Sequence, residues 1–172
     1  MKTISIISDT HGFLDQKSIN ILSKSNEIWH AGDFGYNMQI RNLITNYKVT
    51  GVYGNIDGQE IRNLYPKINK FKCEDVKVLL THIGGYPDKY QHNIEEEIKK
   101  YQPNLYICGH SHILKVVYDS KYKLLHINPG ALGIEGFHQK RTIILIKIDG
   151  KRIYDLEVVE LGSRAKLSQS IY

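Results

Sequence analysis

The chain begins with an apolar, β-branched segment that stops at two potential metal ligands. Residues 3–8 read Thr-Ile-Ser-Ile-Ile-Ser, and Asp9, Thr10 and His11 follow directly. Such a run is typical of a strand that is buried on both faces of a parallel sheet. Asp9 and His11 lie two residues apart, so their side chains would leave the same face of an extended chain. The segment therefore predicts a central strand with half of a metal site at its carboxyl end.

Predicted strands and helices alternate over the first third of the chain, which favours parallel βαβ units with right-handed crossovers. The later segments contain more strands, joined by turns such as Asp149-Gly150. Residues 83–90, which include Gly84, Gly85 and Pro87, are predicted to form a loop. We expect one domain over residues 1–172, with a mostly parallel front half, an antiparallel back half and a loosely packed polar tail at 162–172. The predicted elements are strands at 3–8, 27–31, 48–53, 67–71, 76–81, 105–108, 114–118, 124–127, 141–148 and 152–159, and helices at 15–25, 37–47, 58–64 (or an irregular loop) and 93–101.

The composition is that of an ordinary globular domain. The 172 residues are 41% hydrophobic and 24% charged, and no apolar run approaches the roughly 20 residues that cross a bilayer. The N-terminus has no signal-peptide pattern, and Cys73 and Cys108 have no metal-ligand spacing, so we expect a cytoplasmic protein with reduced thiols. The net charge of +5 is spread along the chain, which does not favour nucleic-acid binding as the main role.

Seven potential metal ligands follow five of the predicted strands. Loops at the carboxyl ends of parallel strands meet at one edge of a sheet, so these side chains are expected to converge. Imidazole and oxygen ligands together suit Mn, Fe, Zn, Ni or Co better than Ca or Mg. Seven ligands are too many for one such ion but fit two ions if one carboxylate bridges them. The seven residues are Asp9, His11, Asp33, Asn55, His82, His110 and His112.

These residues lie in an ordered series of short motifs. The series is Asp9-Thr10-His11-Gly12, Gly32-Asp33, Gly54-Asn55, Thr81-His82, Gly109-His110-Ser111-His112 and Asn128-Pro129-Gly130. It resembles the signature of the calcineurin-like metallophosphoesterase superfamily, and most of all its small, single-domain YfcE-like phosphodiesterase branch. The resemblance spans residues 4 to about 130. It implies a four-layer α/β/β/α sandwich of two mixed sheets flanked by helices, which agrees with the order of the predicted elements.

The resemblance also implies a role for each ligand. Asp9, His11 and His112 would bind one divalent transition metal ion, Asn55, His82 and His110 would bind a second, and Asp33 would bridge the two. Mn²⁺ is the leading candidate, with Ni, Fe, Zn or Co as alternatives. A metal-bridging hydroxide would attack the phosphorus of a phosphodiester, and of phosphomonoesters as a further activity. Asn55 and His110 are the residues expected to assist catalysis, with the Asn55 amide touching a phosphate oxygen.

The chain departs from the superfamily pattern after Asn55. Many relatives have a histidine at the next position that protonates the leaving group, whereas this chain has Ile56. A missing general acid costs about 10²–10⁴-fold on poor leaving groups. Asp57 or a metal-bound water is the candidate substitute. Farther along, His138 and Arg141 are candidate contacts for the substrate phosphate; the alternative is a surface loop.

Two other functions remain open from the sequence. The same fold serves in eukaryotic retromer as a protein-binding subunit with a degraded metal site, so a scaffold is one alternative; the full set of seven ligands argues against it. A nuclease is the other alternative, since the net charge is +5, although no accessory domain is present to hold a strand. The physiological substrate and the oligomeric state have no signal in the sequence.

Overall fold

The computed structural model describes residues 1–163. Its main body consists of two five-stranded sheets. The strands are β1 (Lys2–Ile7), β2 (Glu27–His30), β3 (Val49–Gly51), β4 (Ile68–Cys73), β5 (Val76–Thr81), β6 (Gly85–Tyr86), β7 (Lys89–Tyr90), β8 (Leu105–Ile107), β9 (Leu114–Asp119), β10 (Leu124–Pro129), β11 (Lys140–Asp149) and β12 (Arg152–Ser163). The helices are α1 (Gln16–Leu22), α2 (Met38–Asn46), α3 (Gln59–Leu64) and α4 (His92–Tyr101).

Both large sheets mix parallel and antiparallel strands. The first has the order β12-β11-β1-β2-β3, in which β1, β2 and β3 are parallel. The second has the order β4-β5-β8-β10-β9, in which β5, β8 and β10 are parallel. The expected division into a parallel front half and an antiparallel back half is therefore wrong. Helix α4 provides a crossover between β5 and β8, while β11 returns to pair antiparallel with β1 in the first sheet.

Three apolar clusters hold the layers together. The largest lies between the two sheets and includes Ile6 and Trp29 from the first sheet and Val78 and Ile107 from the second. A second cluster packs α1, α2 and α3 against the outer face of the first sheet, and a third packs α4 against the outer face of the second. The predicted four-layer α/β/β/α sandwich is confirmed.

The helices begin and face as their sequences predict. The carboxylate of Asp15 accepts a hydrogen bond from the backbone N–H of Ser18 and caps α1, and Asn37 caps α2 in the same way through Ile40. In α4, Ile94 and Ile98 lie one turn apart and are both buried against the second sheet. Residues 59–64, for which the sequence left a helix or an irregular loop open, form a short helix.

Two segments differ from the prediction. The expected loop at 83–90 contains the small β6–β7 hairpin, in which Gly85 pairs with Tyr90 and the turn residue Asp88 has a φ of 67°. Strand β12 continues to Ser163, so the first two residues of the expected polar tail are part of the sheet. The remainder of that tail, 164–172, lies outside the described residues. No helix within 1–163 is long and apolar enough to cross a lipid bilayer.

Candidate metal centre

All seven predicted ligands lie in loops that follow strands β1, β2, β3, β5 and β8. The structure brings six of them into two groups of three, and within each group the potential ligand atoms lie within 4.8 Å of one another. The first group is Asp9, His11 and His112, and the second is Asp33, His82 and His110. Asn55, the seventh, places its Oδ1 3.0 Å from His82 Nε2, beside the second group. The predicted convergence at one edge of the sheets is confirmed.

The backbone at the site is strained. A positive φ is uncommon for residues other than glycine and costs of order 1–3 kcal/mol at each position. Strand β1 ends at Ile7, so Asp9 and His11 do not belong to an extended segment, and the predicted period-of-two geometry is wrong. Tight turns, in which side chains take directions that a strand cannot provide, bring the ligands together. Five of the predicted ligands have a positive φ: Asp9 (52°), His11 (45°), Asp33 (57°), His110 (68°) and His112 (57°).

Two glycines allow the loops to approach closely. A Cβ at Gly54 would lie 2.0 Å from Asp33 Oδ1, and one at Gly109 would lie 1.9 Å from Ser8 Oγ. No side chain fits at such distances, so the glycines of the Gly54-Asn55 and Gly109-His110 motifs are required by space.

The first group presents two buried polar atoms that lack a hydrogen bond. Asp9 Oδ2 accepts from the backbone N–H of His110 at 3.1 Å, but Asp9 Oδ1 and His11 Nε2 have no hydrogen-bond partner among the described residues. Asp9 Oδ1 lies 3.2 Å from His112 Nε2. Leaving a buried carboxylate oxygen without a partner is costly, and a cation held between these three side chains would remove that cost. The residues therefore fit a metal ion.

The second group is built around His82, a buried side chain. Its Nδ1 donates to the backbone carbonyl of Ala31 at 2.7 Å, so Nε2 faces Asp33 Oδ2 at 3.2 Å. Burial opposes a charge on His82, but the carboxylates of Asp33 and Asp9 and the Ala31 carbonyl together outweigh this effect and raise the pKa of His82. A proton on Nε2 occupies the position that a metal ion would take, so metal binding would release it.

Asp33 connects the two groups. Its Oδ1 accepts from the backbone N–H of Ile56 at 3.0 Å. Its Oδ2 lies 3.2 Å from His82 Nε2 in the second group and 3.7 Å from His11 Nε2 in the first. Burial alone would raise the pKa of Asp33, yet the neighbouring His82 holds it below its usual value, so the carboxylate is ionised. One carboxylate oxygen thus faces a histidine from each group.

Comparison with known proteins identifies the family. A model of the calcineurin-like phosphoesterase superfamily domain matches residues 1–151. The chain belongs to this superfamily. Divalent metal binding in the superfamily agrees with the two residue groups of this chain. A search of curated proteins finds no match.

Solved structures with the same fold come from several organisms. An archaeal phosphodiesterase is 24% identical, with a TM-score of 0.71 over 92% of this chain and 99% of its own. A predicted phosphoesterase from Streptococcus pneumoniae is 18% identical, with a TM-score of 0.65 over 92% and 97%. Vps29 from Entamoeba histolytica, solved with zinc, is 15% identical, with a TM-score of 0.71 over 92% and 98%. At these identities the likeness concerns the fold alone.

A histidine outside the superfamily motifs orients one of the ligands. His138 Nε2 donates to the carbonyl of Gly133 at 3.0 Å, which leaves His138 Nδ1 as an acceptor. His112 Nδ1 lies 3.2 Å from that atom and donates to it, so the lone pair of His112 is on Nε2, facing Asp9. Ligating histidines commonly use their second nitrogen in this way. The predicted phosphate contact of His138 stays a prediction, and the structure adds this supporting role.

Arg141 has a structural role. Its buried guanidinium donates to the carbonyl of Leu132 at 2.8 Å, to Asp15 Oδ2 at 2.8 Å and to Ser18 Oγ at 2.9 Å. The predicted substrate contact of Arg141 is therefore wrong: the side chain ties strand β11 to the start of α1. The hydrogen bond from Arg141 holds the pKa of the Asp15 carboxyl well below its usual range.

Asp57, the candidate substitute for the missing general acid, is also occupied. It is 3% exposed, and its two carboxylate oxygens accept from the backbone N–H groups of Gly35 at 3.0 Å and Gly54 at 2.7 Å. Asp57 therefore joins the loop after β2 to the loop after β3, and the expectation of an acid role is wrong. The Asp57 carboxylate accepts from Gly54, three residues earlier, as Asp side chains often do in turns. The sequence could therefore have indicated this local contact.

Thr10 and His30 support the loop that carries the first group. Thr10 Oγ1 donates to the carbonyl of Phe34 at 2.8 Å and lies 2.9 Å from His30 Nε2. The ring of His30 stacks on Phe34 with 3.6 Å between centroids. Burial lowers the pKa of His30 to about 3, so this histidine is neutral. Its Nδ1 accepts from the backbone N–H of Gly32 at 3.2 Å, so Nε2 donates to Thr10 Oγ1. Thr10 therefore joins the loops after β1 and β2.

Asn128 gives the Asn128-Pro129-Gly130 motif a structural role. Its side-chain amide donates to the carbonyl of Gly109 at 3.0 Å and to Ser111 Oγ at 3.1 Å. The side-chain oxygen of Asn128, Oδ1, accepts from the backbone N–H of Gly130 at 3.0 Å. The motif therefore holds the loop on which the last two predicted histidine ligands lie.

Proposed function

We propose that the protein is a dinuclear metal-dependent phosphoesterase that hydrolyses phosphodiesters, with phosphomonoesters as a further class of substrate. The position of Asp33 Oδ2, 3.2 Å from His82 Nε2 and 3.7 Å from His11 Nε2, carries the proposal. One carboxylate placed between two sets of ligands is the arrangement that a pair of ions sharing a bridge requires.

The ligands divide between two ions. Asp9, His11 and His112 would hold one divalent ion, Asn55, His82 and His110 the other, and Asp33 both. Such a pair supplies Lewis-acid stabilisation of phosphoryl charge and activation of a water molecule. Mn²⁺ is proposed first, because imidazole and oxygen ligands suit it, with Ni, Fe, Zn and Co as alternatives. A cytoplasmic location is proposed from the free, buried thiols of Cys73 and Cys108.

The residues beside the second group offer the ester a hydrogen-bond donor but no acid. In the reaction, a water molecule bonds to phosphorus through its oxygen and loses a proton to solvent, the ester P–O bond breaks, and the leaving oxygen takes a proton from solvent. Asn55 Oδ1 is turned toward His82, which leaves its amide N–H₂ to donate to a phosphate oxygen. Ile56 is 46% exposed and offers no proton, and Asp57 is committed elsewhere. We therefore expect esters with acidic leaving groups, such as nitrophenols, to react best.

Turnover of bis(4-nitrophenyl) phosphate tests this proposal. Protein freed of metal with EDTA is expected to be inactive and to regain activity when Mn²⁺ is added in excess. Circular dichroism before and after treatment verifies that the fold persists without metal. Absence of hydrolysis by the folded protein with each of Mn²⁺, Zn²⁺, Ni²⁺, Co²⁺ and Fe²⁺ would refute the proposal.

An exposed apolar stripe favours a protein-binding scaffold as the second candidate function. Strand β9 lies at the edge of the second sheet, and on it Leu114 and Val116 are each 37% exposed and Tyr118 is 62% exposed. An open edge with apolar side chains is a surface on which another chain can pair. A scaffold would bind metal without hydrolysing any ester, so the turnover assay separates the two functions.

A further inference from the structure

A cleft opens beside the second ligand group. Its volume is about 340 Å³, at the lower end of the range for small-molecule sites. Asn55 and His82 form part of its lining, so it is continuous with the proposed reaction site. Arg62, Lys67, Ile83 and Ile94 also line it. A ligand whose phosphodiester lay at the metal centre would extend one of its substituents into this cleft.

The charges in the cleft are all positive. Arg62 and Lys67 are both exposed, and none of the lining residues, which all lie within 1–163, is acidic. Neither cation forms an ion pair within the part of the chain that the structure describes. Most surface cations are free, but these two share one concave space with two proposed ligands. Such a space concentrates anions, since low-dielectric walls focus the field of the cations.

The guanidinium of Arg62 is held in place without being neutralised. It lies 4.5 Å from the centre of the Tyr53 ring, and its Nε donates to the backbone carbonyl of Asp57 at 2.7 Å. The nearby Asp57 carboxylate accepts instead from Gly35 and Gly54. The terminal nitrogens of Arg62 therefore keep their capacity to form two parallel hydrogen bonds with an oxyanion, at little further entropic cost.

We propose that this cleft binds a second phosphate group of the substrate, with Arg62 and Lys67 as the phosphate-binding residues. The preferred substrates are then small phosphodiesters in which one substituent carries a phosphomonoester. This inference deepens the proposed function and rests on it for the location of the reacting phosphorus. Binding energy gained at the remote phosphate raises kcat/KM for the reacting ester.

A matched pair of substrates tests the proposal. Thymidine 5′-(4-nitrophenyl phosphate) and its 3′-phosphorylated analogue contain the same reacting ester and the same leaving group. With Mn²⁺-loaded wild-type protein, the 3′-phosphate is expected to raise kcat/KM about 10-fold, the scale of a charge-assisted contact weakened by solvent. The gain is expected to shrink at 1 M salt, where the screening length is about 3 Å.

Three variants locate the effect. Lys67→Gln removes a side chain that forms no ion pair or hydrogen bond with the residues that the structure describes, so its fold is expected to be intact. It should lose about half of the gain in kcat/KM, measured on a logarithmic scale. The double variant Arg62→Gln/Lys67→Gln should lose all of it. Lys72→Gln removes an exposed charge on strand β4, which begins directly after Lys67, at a position outside the cleft, and should retain the full gain. A gain that survives the double variant, or no gain in the wild type, would overturn the proposal.

Calorimetry distinguishes failure of the cleft from failure of the proposed function. Metal-loaded protein is titrated with thymidine 3′,5′-bisphosphate and with thymidine 5′-monophosphate. If neither ester is hydrolysed, the proposed function fails. The cleft proposal then still stands if the bisphosphate binds about 10-fold more tightly to wild type and Lys72→Gln but not to the double variant. Equal affinities for the two nucleotides would overturn it.

Discussion

The two ligand groups are supported by different parts of the molecule. In the second group, His82 is oriented by the backbone carbonyl of Ala31, a fully buried residue directly after β2. In the first, His112 is oriented by His138, a side chain in the segment between β10 and β11. A backbone carbonyl next to a core strand is fixed by the sheet itself, whereas a histidine on a loop is fixed only while that loop is in place. The first group is thus the more easily disturbed.

Asp33 makes the two groups interdependent despite this difference. Its Oδ2 faces a histidine of each group, so a change there is expected to affect both ions, whereas changes to the supporting residues are expected to affect one.

Replacing the shared carboxylate should have the greatest effect. Asp33→Ala removes the proposed bridge, and we expect turnover of bis(4-nitrophenyl) phosphate to fall by more than about 100-fold, beyond the range seen when only supporting residues are changed. Elemental analysis should show loss of bound metal. Asp75→Ala, at an exposed position in the turn between β4 and β5, is the matched control and should leave both values unchanged. Normal activity in Asp33→Ala would show that the bridge is misassigned.

Removing the loop histidine should weaken one ion only. His138→Ala deletes the acceptor that orients His112, and we expect affinity for the first Mn²⁺ to fall about 10–100-fold, as supporting residues of metal sites typically do. Affinity for the second ion should stay near the wild-type value. Titration calorimetry, which resolves two binding steps, provides the measurement.

Two further variants control the His138 experiment. His138→Asn retains an acceptor near the position of Nδ1 and should restore much of the affinity. His92→Ala removes a histidine whose side chain is 87% exposed and should change neither step. Equal weakening of both ions in His138→Ala would contradict the separation of the two groups.

Acid should destabilise the fold through His30. Burial lowers the pKa of His30 from 6.5 to about 3 in the folded protein. Below about pH 6.5 the unfolded chain binds a proton at His30 that the folded protein does not bind. The free energy of unfolding therefore decreases as the pH is lowered from about 6.5 toward 3, by up to about 1.4 kcal/mol per pH unit. Urea unfolding at pH 7, 6 and 5, in EDTA to exclude metal effects, measures the slope. A slope in His30→Gln equal to that of the wild type would refute this assignment.

The smallest effect is expected from the support of the first loop. Thr10→Val has nearly the same shape but lacks the hydroxyl that donates to the Phe34 carbonyl at 2.8 Å. We expect a loss of about 1–3 kcal/mol of unfolding free energy, the cost of a buried acceptor left without its donor. Thermal unfolding measures this loss, and metal titration should show weaker binding at the first group only. A stability equal to that of the wild type would show that the hydroxyl does not join the two loops.

The sequence predicts the fold well because its signals are local. The run before Asp9 identifies a central strand, and the ligand motifs identify which loops must meet. The strand order depends on distant segments. Strand β11 pairs with β1 across more than 130 residues, and the sequence of neither segment indicates which strand it pairs with. The expectation of a parallel front half and an antiparallel back half of the chain is therefore wrong.

The sequence predicts the candidate metal ligands but not the residues that hold them in place. Asp9 and His11 do converge, but through residues with a positive φ after the strand has ended. No periodicity describes such turns. The contact of His138 with His112 depends on how an irregular segment folds back, and the burial of Arg141 depends on α1, far away in sequence. For such residues, the amino-acid type shows which contacts the side chain can make, and only the folded structure shows which of them it does make.

The central claim is that Asp33 lies between two metal ions. Anomalous diffraction from crystals grown or soaked with Mn²⁺, recorded at the manganese absorption edge, tests it directly. We expect two peaks about 3.5–4 Å apart, one beside each ligand group, with the Asp33 carboxylate between them. A single peak, or two peaks that do not share Asp33, would contradict it.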